Sequence, residues 1–166
     1  MWMFAGDAEI ANIITESADS AAIESFQKDD DAAKRLLLGN GATAPDRAED
    51  ATILFTGGTF GPNAGRFLFR VCMWTPDEDR DDFLAWYEDD HLSVLLEHPA
   101  WDGCRFIETA ADDGCQFYVL HQMQDPVALD SDERGRSRDT PWFHRLKKKD
   151  WFDDAFVRAL YQRTDA

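Results

Sequence analysis

Phe67-Leu68-Phe69-Arg70-Val71-Cys72-Met73-Trp74 runs straight into Thr75-Pro76-Asp77-Glu78. The first of these stretches is apolar, aromatic or β-branched on both alternating faces, the pattern of a strand covered on both sides. The second reads as a helix start, with Thr75 as N-cap, Pro76 at the first helical position and Glu78 three residues after the cap. The helix carries Phe83, Leu84, Trp86, Tyr87, His91, Leu92, Leu95 and Leu96, and Pro99 lies beyond its end.

Gly103 opens a second strand, Cys104 to Thr109. A polar turn with Asp112-Asp113-Gly114 follows, then a third strand, Gln116 to Gln122. Asp125-Pro126 is an N-cap followed by proline and starts a second helix. Gly135 lies in a charged stretch that breaks this helix, Thr140-Pro141-Trp142 restarts a short element, and Phe156 to Arg163 closes the chain as a fourth strand. The order from residue 66 is β-α-β-β-α-β, the ferredoxin-like α+β arrangement with both helices on one sheet face. The other face also reads as apolar and needs a cover. Two sheets closing face to face as a homodimer, a dimeric α+β barrel with the ligand cavity inside, would supply it.

The N-terminal 65 residues differ from the rest. Ile10, Ile13, Ile14, Ala18, Ala21, Ala22 and Phe26 recur at roughly helical spacing, and Ala32 to Leu38 reads as a second short helix stopped by Gly39-Asn40-Gly41. Ala51 to Phe55 reads as a short strand. The chain is therefore expected to divide into a mostly helical extension, 1–65, packed on a barrel domain, 66–166. The Gly57-Gly58-Thr59-Phe60-Gly61 connector lacks the lysine and the spacing of phosphate-binding loops.

Composition narrows the partners. The chain has 166 residues, 44% of them hydrophobic, which suits one domain plus an extension. Acidic residues number 33 against 17 basic ones, a net charge of −16, so phosphate backbones and anionic lipid surfaces repel it and nucleic-acid binding is disfavoured. The acid is mostly aspartate, which suits a heavily hydrated surface. No stretch approaches the ~18 apolar residues of a membrane span, and the first residues lack the basic and apolar regions of a secretory signal. Cys72, Cys104 and Cys115 have no CxxC spacing and are expected to be reduced, which places the protein in the cytoplasm. No HxxxH, HExxH or EF-hand spacing occurs, so neither a metal nor another cofactor is expected. Lys147-Lys148-Lys149 is too short a basic run to change the reading.

Phe83-Leu84-Ala85-Trp86-Tyr87-Glu88-Asp89-Asp90-His91-Leu92, with Leu95-Leu96-Glu97-His98-Pro99 and Arg105-Phe106, resembles the EthD-like branch of the dimeric α+β barrel superfamily. Thr140-Pro141-Trp142 and Tyr161-Gln162-Arg163 fit the same pattern. The likeness spans about residues 66–164. It implies a small-molecule cavity and a pocket histidine moving protons, in a superfamily of isomerases, cyclases, decarboxylases, cofactor-free monooxygenases, haem enzymes and proteins of unknown role. Where related chains have a small residue after the proline, this one has Ala100-Trp101, an indole at the cavity entrance.

His91 is the leading catalytic candidate, because an imidazole donates or accepts near neutrality. Tyr87, four residues earlier, reaches the same site. Arg70 lies inside an apolar strand and requires either a carboxylate, such as Glu108 on the neighbouring strand, or an anionic ligand. Trp74 and Trp86 read as core or interface residues that also border a ligand, His121 shares a strand face with Phe117 and Val119, and His144 lies where it closes a pocket mouth. The expected activity is cofactor-independent proton transfer on a small, oxygenated, aromatic or polyketide-like compound: isomerisation, cyclisation or decarboxylation. The alternatives are a non-catalytic ligand-binding or stress protein and a cofactor-free monooxygenase.

Overall fold

The computed structural model describes residues 2–5, 12–13, 23–28, 31–39, 51–61, 64–109 and 116–163. Four strands form the ferredoxin-like centre: β6 (Phe67–Met73), β7 (Trp101–Thr109), β8 (Phe117–Met123) and β9 (Phe156–Arg163). Five more precede them: β1 (Trp2–Ala5), β2 (Asn12–Ile13), β3 (Ile23–Lys28), β4 (Asp31–Gly39) and β5 (Ala51–Gly58). All nine join one sheet in the order β2-β1-β4-β3-β9-β6-β8-β7-β5. Every pairing is antiparallel. The central order, β9-β6-β8-β7, is that of a split βαβ unit.

The part of the N-terminal segment that is described is extended, which corrects the helical reading. Asp31–Gly39 is a strand where Ala32 to Leu38 was expected to be a helix, and Phe26 lies in β3. Much of the first expected helix lies outside the described residues. A seven-residue helix gains little from its own hydrogen bonds, and the run Leu36-Leu37-Leu38 suits a buried strand as well as a helix. The edge of β9 offers backbone partners, and β3 takes them, pairing Phe26 with Arg163 and Lys28 with Tyr161. At the other end β5 pairs with β7, Ala51 opposite Thr109.

Alternation assigns the two faces. Phe69, Val71, Met73, Phe106, Phe117, Val119 and Met123 point toward the helices and form the core with Phe83, Trp86, Leu92, Leu95, Phe143 and Leu146. On the opposite face Leu68, Ile107 and Leu120 are fully buried within the single chain. At these three residues the cover comes from within the chain. Part of the cover comes from the glycine-rich connector. Gln122 accepts from the Gly61 amide (2.6 Å) and donates to its carbonyl (3.0 Å), and Arg105 lies 4.7 Å from the Phe60 ring centre.

Between β6 and β7 runs one continuous helical stretch of changing pitch. A 3-10 turn, Asp77–Asp79, leads into α1 (Arg80–Ala85), a π-helical segment (Trp86–Leu92) and α2 (Ser93–Leu95). The expected capping box does not form. Thr75 donates its hydroxyl to the Pro76 carbonyl instead of accepting from the helix. Between β8 and β9 the caps do form. Asp125 accepts from Val127, Ser131 caps α3 (Asp132–Ser137), and Thr140 caps α4 (Pro141–Leu146). Among the described residues no helix is long and apolar enough to cross a membrane. Cys72 is disulfide-bonded, which corrects the expectation of three reduced thiols and removes its support for a reducing compartment. Cys104 is free and buried.

Candidate functional site

The helices and the sheet do not close completely. A cleft of about 50 Å³, open to solvent on one side, lies between β6, β8 and β9 on one side and the π segment, α3 and α4 on the other. Its walls are mostly aromatic, including Phe69, Trp86, Trp101, Phe143, Phe152 and Phe156. The polar groups reaching it are Tyr87, His91, His121, Arg134, Arg138 and Arg158.

The π segment gathers three of the expected residues. Wider turns bring i and i+5 together, and the Trp86 and His91 ring centres lie 4.8 Å apart. Tyr87 stands edge-on to His91 at 4.9 Å and to Phe106 at 5.0 Å. Asp90 accepts from the Thr140 hydroxyl (2.5 Å), which itself caps α4, so the segment is tied to the opposite wall.

Donor and acceptor chemistry fixes the protons. An indole N–H only donates and a carbonyl only accepts. Trp101 donates to Nδ1 of His121 (3.2 Å), so that nitrogen is bare, and the neutral ring carries its proton on Nε2. Burial holds the His121 pKa well below its ordinary value, with the facing His91 and Arg134 adding to the effect, so the ring stays neutral. Nε2–H therefore donates to the Tyr87 oxygen at 2.7 Å. Burial, and more weakly Cys104, raises the Tyr87 pKa well above 10, so the phenol keeps its own proton and can donate it to an acceptor in the cleft.

His91 is set the opposite way. Its Nδ1 donates to the Ser137 carbonyl at 3.2 Å. Burial pushes its pKa down to about 4, against the pull of that hydrogen bond and with Arg138 and Arg134 adding to the fall. The ring is neutral at pH 7 and its Nε2 lone pair is available. A phenolic donor and an imidazole acceptor thus adjoin one aromatic cleft. Trp86 adds a third group: its indole N–H is buried with no acceptor.

These shifts predict acid sensitivity. Below pH 6.5 the unfolded chain protonates His91, whereas the folded chain resists until about pH 4. The unfolded state binds more protons in that window, so stability is fully present above pH ~6.5 and is lost as pH falls toward 4. His91 alone accounts for about 3 kcal/mol, and His121 acts in the same direction. Urea midpoints at pH 7.5 and 4.5 should differ accordingly, and His91→Gln should narrow the difference. An unchanged gap in that variant would contradict the assignment.

His91, Tyr87, Trp86 and His121 thus line one cleft, and three other expected residues do not. Arg70 lies on the opposite sheet face, against the rings of Tyr118 and Tyr161 at 5.7 and 5.9 Å, which corrects its expected place across from His91. Nor does it take Glu108, which receives two bonds from Arg80 (3.1 and 2.8 Å). Trp74 is 39% exposed and packs on Trp151. His144 is exposed and pairs with Asp139 at 2.8 Å. Burial pushes the Cys104 thiol up to about 12, so it is no ready nucleophile. Trp101 is 4% exposed and serves the site by orienting His121. Sequence reading missed Arg134 and Arg138, because a charged stretch with a glycine looks like a solvated surface; an unusual run of arginines, four between residues 134 and 145, was the available signal. Among the described residues, no group of acidic, histidine and cysteine side chains is placed to hold a metal ion.

No family model matches the chain, and no curated protein does. Solved structures do. A ferredoxin-fold protein related to antibiotic biosynthesis monooxygenases, from Listeria monocytogenes, aligns with a TM-score of 0.57 at 15% identity, over 89% of this chain and 83% of its own. A staphylococcal protein described as a major regulator of pathogenesis aligns with a TM-score of 0.57 at 10% identity, over 87% and 85%. A heme-degrading enzyme from Listeria monocytogenes aligns with a TM-score of 0.52 at 10% identity, over 88% and 87%. These shares exceed what residues 66–164 alone could supply, so the N-terminal strands belong to the match. The chain has the ferredoxin-like α+β fold of these proteins.

Proposed function

We propose that the cleft is the active site of an enzyme that moves protons on a small oxygenated aromatic compound without a cofactor. The observation that carries this reading is the fixed pair of opposite polarity, the Tyr87 hydroxyl as donor and the bare Nε2 of His91 as acceptor, at the π segment. The EthD-like helix motif of the sequence agrees with it. A substrate carbonyl accepts from Tyr87, and from the Trp86 N–H if it turns that way. His91 Nε2 takes a proton from the adjacent carbon, and the C–H electron pair moves onto the carbonyl oxygen as an enolate. Return of the proton to a different carbon completes an isomerisation. Neutralising Arg134 and Arg138 with an anionic group would raise the basicity of His91, which the free protein holds low.

Resemblance of the fold to the monooxygenase-related protein favours a second reading with the same first step. Dioxygen would then oxidise the enolate. One experiment separates them: incubation with 2-tetralone in D₂O, followed by NMR and an oxygen electrode. Deuterium entering the α-carbons without oxygen uptake is the expected result. Uptake that matches loss of the ketone would select the oxygenase, and exchange at the buffer rate would leave only a binding protein.

A further inference from the structure

In a chain of net charge −16, three guanidinium groups meet at the mouth of this cleft. Arg134 projects from α3, Arg138 follows that helix, and Arg158 stands on β9 opposite Val71. With 33 acidic residues in the chain, chance would give such a cluster carboxylate partners. Other basic side chains have them: Arg80 with Glu108, Arg136 with Glu97, Arg145 with Asp82 and Lys149 with Asp79. No ion pair within 4 Å joins Arg134, Arg138 or Arg158 to an acidic side chain among the described residues. Arg134 instead donates to the Leu129 carbonyl and lies over the Phe69 ring, while Arg158 lies over Phe156. Like charges crowded together cost free energy, and burial together with Arg138 lowers the pKa values of both Arg134 and Arg158, with Asp130 only partly offsetting the fall at Arg134. The buried, unaccepted N–H of Trp86 is a second vacancy of the same sign, a donor lacking an acceptor.

We infer that the ligand of this cleft is an aromatic oxyanion, its flat body held among Trp86, Phe143 and Phe152 and its acid group held by Arg134, Arg138 and Arg158. This rests on reading the cleft as a small-molecule site and names the class of molecule. Guanidinium groups take carboxylate and phosphate oxygens in pairs, and the surrounding aromatic faces suit a planar ring.

The test is calorimetric titration of the full chain with 2-naphthoate, 2-naphthyl phosphate and the neutral 2-naphthamide. At least one anion should bind tenfold or more tightly than the amide, and their order tells carboxylate from phosphate. The preference should shrink as salt rises. Arg138→Gln and Arg158→Gln, both exposed side chains, should melt like the wild type and lose most of the preference. Arg145→Gln, outside the cleft, should keep it. Equal binding of amide and anions would overturn the oxyanion assignment and leave the small-molecule site standing. Binding of none of the three would remove both.

Discussion

His91→Ala should slow deuterium exchange into 2-tetralone by ~10²–10⁴-fold, the usual contribution of a positioned general base. It should also lower stability, because the Ser137 carbonyl loses its donor and a buried ring is removed. An unsatisfied buried acceptor costs roughly 1–3 kcal/mol, so the alanine variant alone confounds the two roles. His91→Asn separates them. Its amide nitrogen can take the place of Nδ1 and donate to Ser137, but it offers no basic lone pair. The asparagine variant should therefore melt closer to the wild type while exchange stays as slow as in the alanine variant. Recovery of exchange in His91→Asn would show that His91 serves the fold and that another group moves the proton.

Phe83→Ala should be the most damaging change to stability. Phe83 is fully buried. Its ring centre lies 5.6 Å from Trp86, 5.7 Å from Trp151 and 6.2 Å from Tyr87, with Phe106, Phe117 and Phe156 each within 6.5 Å. Removing a buried phenylalanine costs about 3–5 kcal/mol, which for a chain of this size lowers Tm by roughly 10 °C. The residue also supports Trp86 and Tyr87 from below, so the cleft should loosen as the fold weakens. Phe83→Leu refills part of the void and should recover more than half of the loss. A melt for Phe83→Ala within ~2 °C of the wild type would show that the ring is not packed as described.

The central strands were legible because their apolar runs are long and end at glycine or proline, and Phe156 to Arg163 coincides with β9. Tyr87 and His91 were legible because helical spacing alone puts them on one face. Arg70 was misplaced for a geometric reason. Alternation correctly grouped it with Leu68 and Cys72, but the cavity was expected inside a sheet-on-sheet barrel, whereas the cleft lined by Tyr87 and His91 lies between the sheet and the helices. Residues on the helix could only meet the strand face of Phe69, Val119 and His121. Arg158 faces Arg134 through a register set by β6, and spacing along the chain does not contain that register. Phe26 in β3 and Ala32 to Leu38 of β4 were read as helical because apolar spacing in short segments fits either state; the pairing of β3 with β9 and of β4 with β3 and β1 decides it.

The π segment has a history written in its length. A helix acquires such a turn when one residue too many enters a stretch that its ends already hold in place, and its hydrogen-bond ladder is poorer for it. Losing any one residue between Trp86 and Leu92 would let the whole stretch wind as an α-helix, with each residue before the deletion turned by about 100° relative to those after it. The ordinary helix would be the easier one to keep if its own hydrogen bonds were all that mattered. It would leave Trp86 and His91 neighbours at four-residue spacing, but would turn the buried Phe83 out of line with Leu92 and Leu95 in the core. The surplus residue lets the buried side chains before and after the segment face one core.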